Sequence, residues 1–242
     1  MKRMALAFSL MIALAPAAWA TDLLIPAVFR GDGAEGTKWR TGLVIANTMV
    51  TAGPTPVTVR LFRPGVAPAI KTFDLARRAT FTSHDVLPEL FGVNDGGGML
   101  MISFPAGPGR VTARARVYNV SAAGEYGQSI RGIVVDDLRP EYDLIGLSNA
   151  NGNRTNLGIA NPYAFPLVIW LSMSDGSGGE VGFLAVEVPP LSVRQINDIF
   201  AAFLADGTID GAHVHVTSPV GVYAYASVVR ADTGDATFVD PQ

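Results

Sequence analysis

The reading turns on Arg154-Thr155-Asn156-Leu157-Gly158-Ile159-Ala160-Asn161, which has an earlier copy at Arg40-Thr41-Gly42-Leu43-Val44-Ile45-Ala46-Asn47, 114 positions upstream. Six of the eight residues match: Arg, Thr, Leu, Ile, Ala and Asn. In both copies Leu and Ile recur with a period of two, the signature of a strand that buries one face. Gly42 and Ala46, like Gly158 and Ala160, fall on the other face, where small side chains let a second sheet or loop come close. Asn47 and Asn161 end the run. Asparagine bonds its own downstream backbone and starts turns, and Pro162 strengthens that reading for the second copy. Arg40 and Arg154 stand at the strand entries. Each is expected to tie down a neighbouring loop through carbonyls or a carboxylate rather than to hold an anion.

Outward from this stretch the two halves keep step. Strands are predicted at 23–29, 57–62, 70–75, 79–82, 99–104 and 111–120, with 128–135 as a last strand or crossover. The second half places strands at 144–147, 167–173, 181–188, 214–217 and 220–229. A short helix at 85–91, with Asp85 as its cap and Pro88 in its first turn, returns at 196–204 with Asp198 in the place of Asp85, 113 positions on. Gly211 falls on Gly98 at the same separation. This spacing reads as an internal duplication. Short strands with frequent turn signals give an all-β fold: two tandem immunoglobulin-like β-sandwich units, 21–137 and 138–242, each with one short helix. The alternative is a single jelly-roll-like body in which neither half folds alone.

Residues 1–20 read as a secretory signal peptide. Lys2 and Arg3 precede an apolar run, and Ala18-Trp19-Ala20 gives a small-x-small cleavage signal before Thr21. The chain is therefore expected to be secreted or periplasmic. Removing the two basic residues of this leader from the 18 leaves 16 against 21 acidic residues, a balance that speaks against nucleic acid. No later run approaches the roughly 18 apolar residues of a membrane span. Cysteine is absent, so a secreted chain must be held by its cores alone.

The segments Arg154-Thr-Asn-Leu-Gly-Ile-Ala-Asn-Pro162, Pro189-Pro190 with Ser192 and Gln195-Ile-Asn-Asp-Ile-Phe200, and Val222-Tyr-Ala-Tyr-Ala-Ser-Val-Val229 with Thr233-Gly234-Asp235 and Phe238 carry a resemblance. They are similar to secreted bacterial β-sandwich repeat proteins with the same series of motifs, and the first half has a degenerate version ending near Tyr126-Gly127-Gln128. The resemblance implies a cell-surface or extracellular module. It carries over no catalytic residue.

Candidate chemistry is sparse. The histidines are His84, His213 and His215, and no Gly-x-Ser-x-Gly elbow accompanies them. Asp85 adjoins His84 but is better explained as the helix cap. His213 and His215 are two apart on a strand and share a face, which is ligand-like spacing. No third ligand lies nearby in sequence, and the 113-residue offset sets Leu100 and Ile102 opposite them, so a partly buried strand face is expected and no metal or cofactor is assigned. Asp175-Gly-Ser-Gly-Gly-Glu180 and Asp232-Thr-Gly-Asp235 offer oxygens to calcium, yet their residues are those that turns require.

The late strand is the best candidate for recognition. Aligning the halves sets Thr112, Arg114 and Arg116 against Tyr223, Tyr225 and Ser227, with a small apolar set on the opposite face. Because arginines rarely go inside unpaired, Tyr223 and Tyr225 are expected on the outer face or at a contact between the units. Exposed, they would stack on sugar rings or anchor a protein. The expected function is a non-catalytic structural or interaction module at the cell surface or in the periplasm, with a protein or polysaccharide partner. The alternative is a carbohydrate-binding module that uses the tyrosines.

Overall fold

The computed structural model describes residues 20–33, 37–49, 53–106, 111–121 and 124–242. The leader assigned to 1–20 lies, apart from Ala20, outside the described residues, as do parts of the loops at 31–36 and 52–54. Strands make up 66% of the chain and helices 6%, so the fold is all-β.

The first half runs β1 (Ala20–Asp32), β2 (Lys38–Asn47), β3 (Thr55–Arg63), β4 (Val66–Leu75) and β5 (Thr80–Ser83). Helix α1 (Val86–Phe91) follows, then β6 (Gly96–Pro105), β7 (Val111–Ser121), β8 (Gly124–Arg131) and β9 (Ile133–Val134). A 3-10 turn at Val135–Asp137 leads into the second half: β10 (Arg139–Leu147), β11 (Asn153–Asn161), β12 (Leu167–Ser174), β13 (Glu180–Val188) and β14 (Ser192–Ile196). Helix α2 (Ile199–Ala202) precedes β15 (Ala212–Arg230) and β16 (Ala236–Val239).

All of these pairings are antiparallel, and they build four layers. Layer A orders β4-β3-β6-β1, with β9 also on β1; layer B orders β5-β2-β7-β8. Layer C orders β13-β12-β15-β10; layer D orders β14-β11-β15-β16. The second half thus repeats the pairing order of the first, except that the end of β1 also pairs with β2 at Gly31 and Asp32, with no β10–β11 equivalent among the described residues. One difference is that β15 supplies a strand to both layers in a single 19-residue run, where the first half uses two separate strands, β6 and β7. The β2–β5 and β3–β6 pairs match the B–E and C–F neighbours of an immunoglobulin order, whereas β7 joins β2.

Alternation explains the cores. Leu43 and Ile45 of layer B meet Leu23, Val57, Val59, Leu100 and Ile102 of layer A. Leu157, Ile159, Ala224 and Ala226 of layer D meet Leu144, Ile169, Leu171, Val214 and Val216 of layer C. Each such fully buried aliphatic chain contributes about 1.5–3 kcal/mol. A third cluster joins the halves. Leu24, Phe62 and Met99 on the outer face of layer A pack on Ala160, Tyr223 and Tyr225 on the outer face of layer D. The layers therefore stack in the order B-A-D-C. The outer faces of B and C are left at the two ends.

Local bonds fasten both halves alike. The Thr41 hydroxyl donates to the Phe29 carbonyl and accepts from the Phe29 N–H, both at 2.8 Å. Thr155 does the same for Ser148, at 2.7 and 3.2 Å. The Asn47 side chain accepts from Met49 N–H and donates to the Leu75 carbonyl, 28 residues on. Asn161 accepts from Tyr163 N–H and donates to the carbonyls of Phe165, Val188 and Pro189. The turn these asparagines start is thus also pinned to the strand end across the sandwich.

Several sequence expectations change here. Arg40 and Arg154 are exposed strand residues, and no loop-tying bond from either is present among the described residues. Their neighbours Thr41 and Thr155 do the fastening. The Asp85 side chain does not cap α1; its carboxylate pairs with Arg30. The Glu89 carboxylate accepts from the N–H groups of His84 and Asp85 instead, at 3.1 and 3.2 Å. In the second half the Asp198 carboxylate does cap, accepting from Ala201 N–H. Residue 196, expected in that helix, ends β14.

Candidate functional site

The candidate recognition strand divides between two fates. Arg114 and Arg116 are exposed on the outer face of layer B, where Arg116 bonds Glu125 at 3.2 Å and lies over the Tyr118 ring. Tyr223 and Tyr225 are not exposed: they retain only 2% and 4% of their accessible surface. Of the two places expected for them they occupy the contact between the halves, where layer A covers them, and this overturns the alternative in which they stack, exposed, on sugar rings. Tyr225 stacks on Phe238 at 5.2 Å and on Tyr223 at 6.5 Å, and the Tyr223 hydroxyl donates to Asp240 at 2.8 Å. Burial pushes both phenols well above the usual tyrosine range. Gly158 makes room for this packing, since a Cβ there would stand 2.1 Å from the Tyr225 ring.

The outer face of layer C holds a different set. On β12 the alternation of buried Leu167, Ile169, Leu171 and Met173 turns Val168, Trp170, Ser172 and Ser174 outward. Phe183 lies opposite Ser172, His215 flanks Ser172 on the other side, and Asp143 lies opposite His215. Trp170 is 44% exposed, Phe183 71%, Ile145 55% and Val168 43%. Val168, Trp170 and Phe183 lie along one another on β12 and β13 as an apolar stripe, and Ile145 lies across β15 from them on the same face.

Beside it sits a polar trio. Asp143 Oδ1 lies 2.8 Å from His213 Nε2 and 2.9 Å from His215 Nδ1. Hydrogen bonding from His213, then from His215, holds the Asp143 carboxyl below the usual carboxylate range. Arg139, Pro140, Glu141, Tyr142, Gln242, Asp143 and His215 line a groove of about 370 Å³ along the β10 edge. Asp143 is the residue the sequence reading missed. Its signal was present: Tyr142 and Leu144 alternate with it, so one face of that strand carries Asp143 outward. The 113-residue offset also misled. By strand pairing, Val59 meets Ile102 as Leu171 meets Val216, so the buried counterparts of Leu100 and Ile102 are Val214 and Val216. His213 and His215 correspond to Met99 and Met101, on the outer face.

In the two loops weighed for calcium, the leading carboxylates, Asp175 and Asp232, are spent internally. Asp175 Oδ1 accepts from Ser177 Oγ at 2.7 Å and from the N–H groups of Ser177 and Gly179, which lower its pKa with the Ser177 hydroxyl as the largest cause. Asp232 pairs with Arg230 at 2.7 Å.

No family model matches this chain. None of the curated proteins matches it. Among solved structures, a chain titled BspA_C_mut aligns over 89% of this chain and 97% of its own length, at 10% identity and a TM-score of 0.18. A lectin from Pleurotus ostreatus in complex with GalNAc aligns over 91% of this chain and 85% of its own length, at 12% identity and a TM-score of 0.16. Likenesses this slight carry no argument about fold or function.

Proposed function

We propose that this chain is a secreted or periplasmic, non-catalytic interaction module of the bacterial cell surface, and that the outer face of layer C is its docking surface for a protein partner. The observation that carries the reading is the exposure of Trp170, Phe183 and Val168 side by side, with Ile145 on the same sheet face, at an end of the stack that no other layer of the described residues covers. Trp and other aromatic anchors dominate protein interfaces, and an aliphatic surround suits a protein surface better than a sugar ring. Glu141, Asp143 and Glu187 around the apolar patch supply the polar rim that such interfaces carry. The seam between the halves supports the reading too, because it makes one stiff block that holds the face in place.

The test is a parallel capture experiment. The purified chain and its Trp170→Ala/Phe183→Ala variant are immobilised and exposed to envelope proteins and, separately, to a panel of surface polysaccharides. A protein band retained by wild type and reduced at least about tenfold by the variant is expected, as loss of two central aromatic anchors predicts. Retention of a polysaccharide, lost in the same variant, would replace the protein reading with a carbohydrate-binding one. Capture equal in both chains would remove this face from consideration.

A further inference from the structure

We infer that Asp143, His213 and His215 form a binding site for a single divalent transition-metal ion of the zinc type, on the open face of layer C. The three side chains come from two strands with fixed register. His213 and His215 project from one face of β15, two residues apart, and β10 sets Asp143 directly across from His215 and diagonal to His213. Their donor atoms all lie within 4.8 Å of one another, a convergence that involves no other such trio among the described residues. Two imidazoles and a carboxylate form a donor set suited to zinc and its neighbours, with positions left for water.

The distances fit an ion. Both ring nitrogens already address the same carboxylate, at 2.8 and 2.9 Å. Zinc bonds of about 2.0–2.2 Å in a tetrahedron separate neighbouring donors by roughly 3.3 Å, so each ring nitrogen moves about half an ångström away from the Asp143 oxygen to admit it. Without an ion, a nitrogen that donates to Asp143 carries its proton between the two groups. With one, His213 coordinates through Nε2 and keeps its proton on Nδ1, while His215 coordinates through Nδ1 and keeps its proton on Nε2. Neutral imidazoles thus change tautomer without a net change in charge.

The surroundings leave room. On the side away from Asp143 the neighbours across the strand are Ser172, opposite His215, and Ser174, opposite His213, both short. All three ligand side chains are 40–46% exposed, so an ion has direct access from solvent. Glu141, two residues along β10, lines the groove with Asp143 and His215. The first half provides an internal control. The positions matching Asp143, His213 and His215 are Leu24, Met99 and Met101, which offer no comparable donor set. One ion per chain follows, not two.

The experiment is calorimetric titration of the full chain with Zn²⁺, with Co²⁺ as a spectroscopic stand-in. One equivalent is expected, with visible Co²⁺ bands of a nitrogen- and oxygen-bound ion. His213→Ala, His215→Ala and Asp143→Asn should each weaken binding at least about tenfold, since even the groups that merely orient ligands cost 10–100-fold when removed. The chain has three histidines, so His84→Ala is a matched control that leaves affinity unchanged. The altered side chains are exposed, and circular dichroism checks that each variant keeps its strands. Stoichiometry well below one, or binding that survives His213→Ala and His215→Ala or is lost in His84→Ala, would overturn the assignment. The Trp170→Ala/Phe183→Ala variant should bind the ion normally, which separates this site from the docking surface.

Discussion

The two halves share a pairing order, yet each exposes what the other hides. In the first half the face of layer A bearing Leu24, Phe62 and Met99 is covered, and the face of layer B bearing Arg114 and Arg116 is free. In the second half the counterpart of B, layer D, is covered at Tyr223 and Tyr225, while the counterpart of A, layer C, is free. Met99 and Met101 thus correspond to His213 and His215, and Arg114 to Tyr225. The inner faces are alike because each sandwich must bury its own core. The outer faces diverge because stacking the halves buries one layer of each. What a position does on an outer face is set by its place in the stack, not by its match in the other half.

The largest effect should come from exchanging the residues at matched outer positions. Tyr225→Arg puts into the seam the side chain that position 114 carries in water. Truncating a buried aromatic costs about 3–5 kcal/mol, and a desolvated, unpaired guanidinium adds to that. Arg114→Tyr, on the free face of layer B, should stay within about 0.5 kcal/mol of wild type. Denaturant unfolding of both variants measures the difference. Costs of equal size would mean that the seam is not the packed interface described here.

This asymmetry also marks where sequence reasoning reached its limit. The alternation of Leu43 and Ile45, and of Leu157 and Ile159, is enough to place these strands and their buried face, because burial against one's own core leaves a period of two. Asn47 and Asn161 were legible as turn starters for a similarly local reason. For Tyr223 and Tyr225 the sequence left two places open, the outer face or a contact between the units, since their counterparts Thr112 and Arg114 lie on a free face and nothing local reports that another layer covers one and not the other. Asp143 was missed because its partners lie 70 and 72 residues away, and only strand register brings them together. Asp85 looked like a cap from its position before α1, but Arg30, brought in from β1, takes its carboxylate.

A second effect should be the same in both halves. Thr41 and Thr155 are fully buried, and each hydroxyl both donates to and accepts from one backbone residue, Phe29 or Ser148. Thr41→Val and Thr155→Val keep the shape and leave an N–H and a carbonyl, part-buried at Phe29 and buried at Ser148, without that partner. Each should cost about 1–3 kcal/mol. If the seam makes the two sandwiches unfold together, both substitutions shift one common transition. Two transitions, each moved by a single substitution, would instead describe halves that melt separately.

The smallest effect lies at the helices, where the matched aspartates part company. Asp198→Ala removes a carboxylate that accepts from Ala201 N–H, and loss of such a cap costs about 0.5–2 kcal/mol. Asp198→Asn keeps an acceptor oxygen and should recover most of that loss. At Asp85 the same pair of changes should behave differently. The side chain there meets the guanidinium of Arg30 rather than a backbone N–H, so asparagine is a poor substitute for the carboxylate. Asp85→Asn should therefore sit close to Asp85→Ala, while Asp198→Asn sits close to wild type. Denaturation midpoints for the four variants test this contrast, and rescue by asparagine at position 85 would restore to that residue the capping role its sequence position suggests.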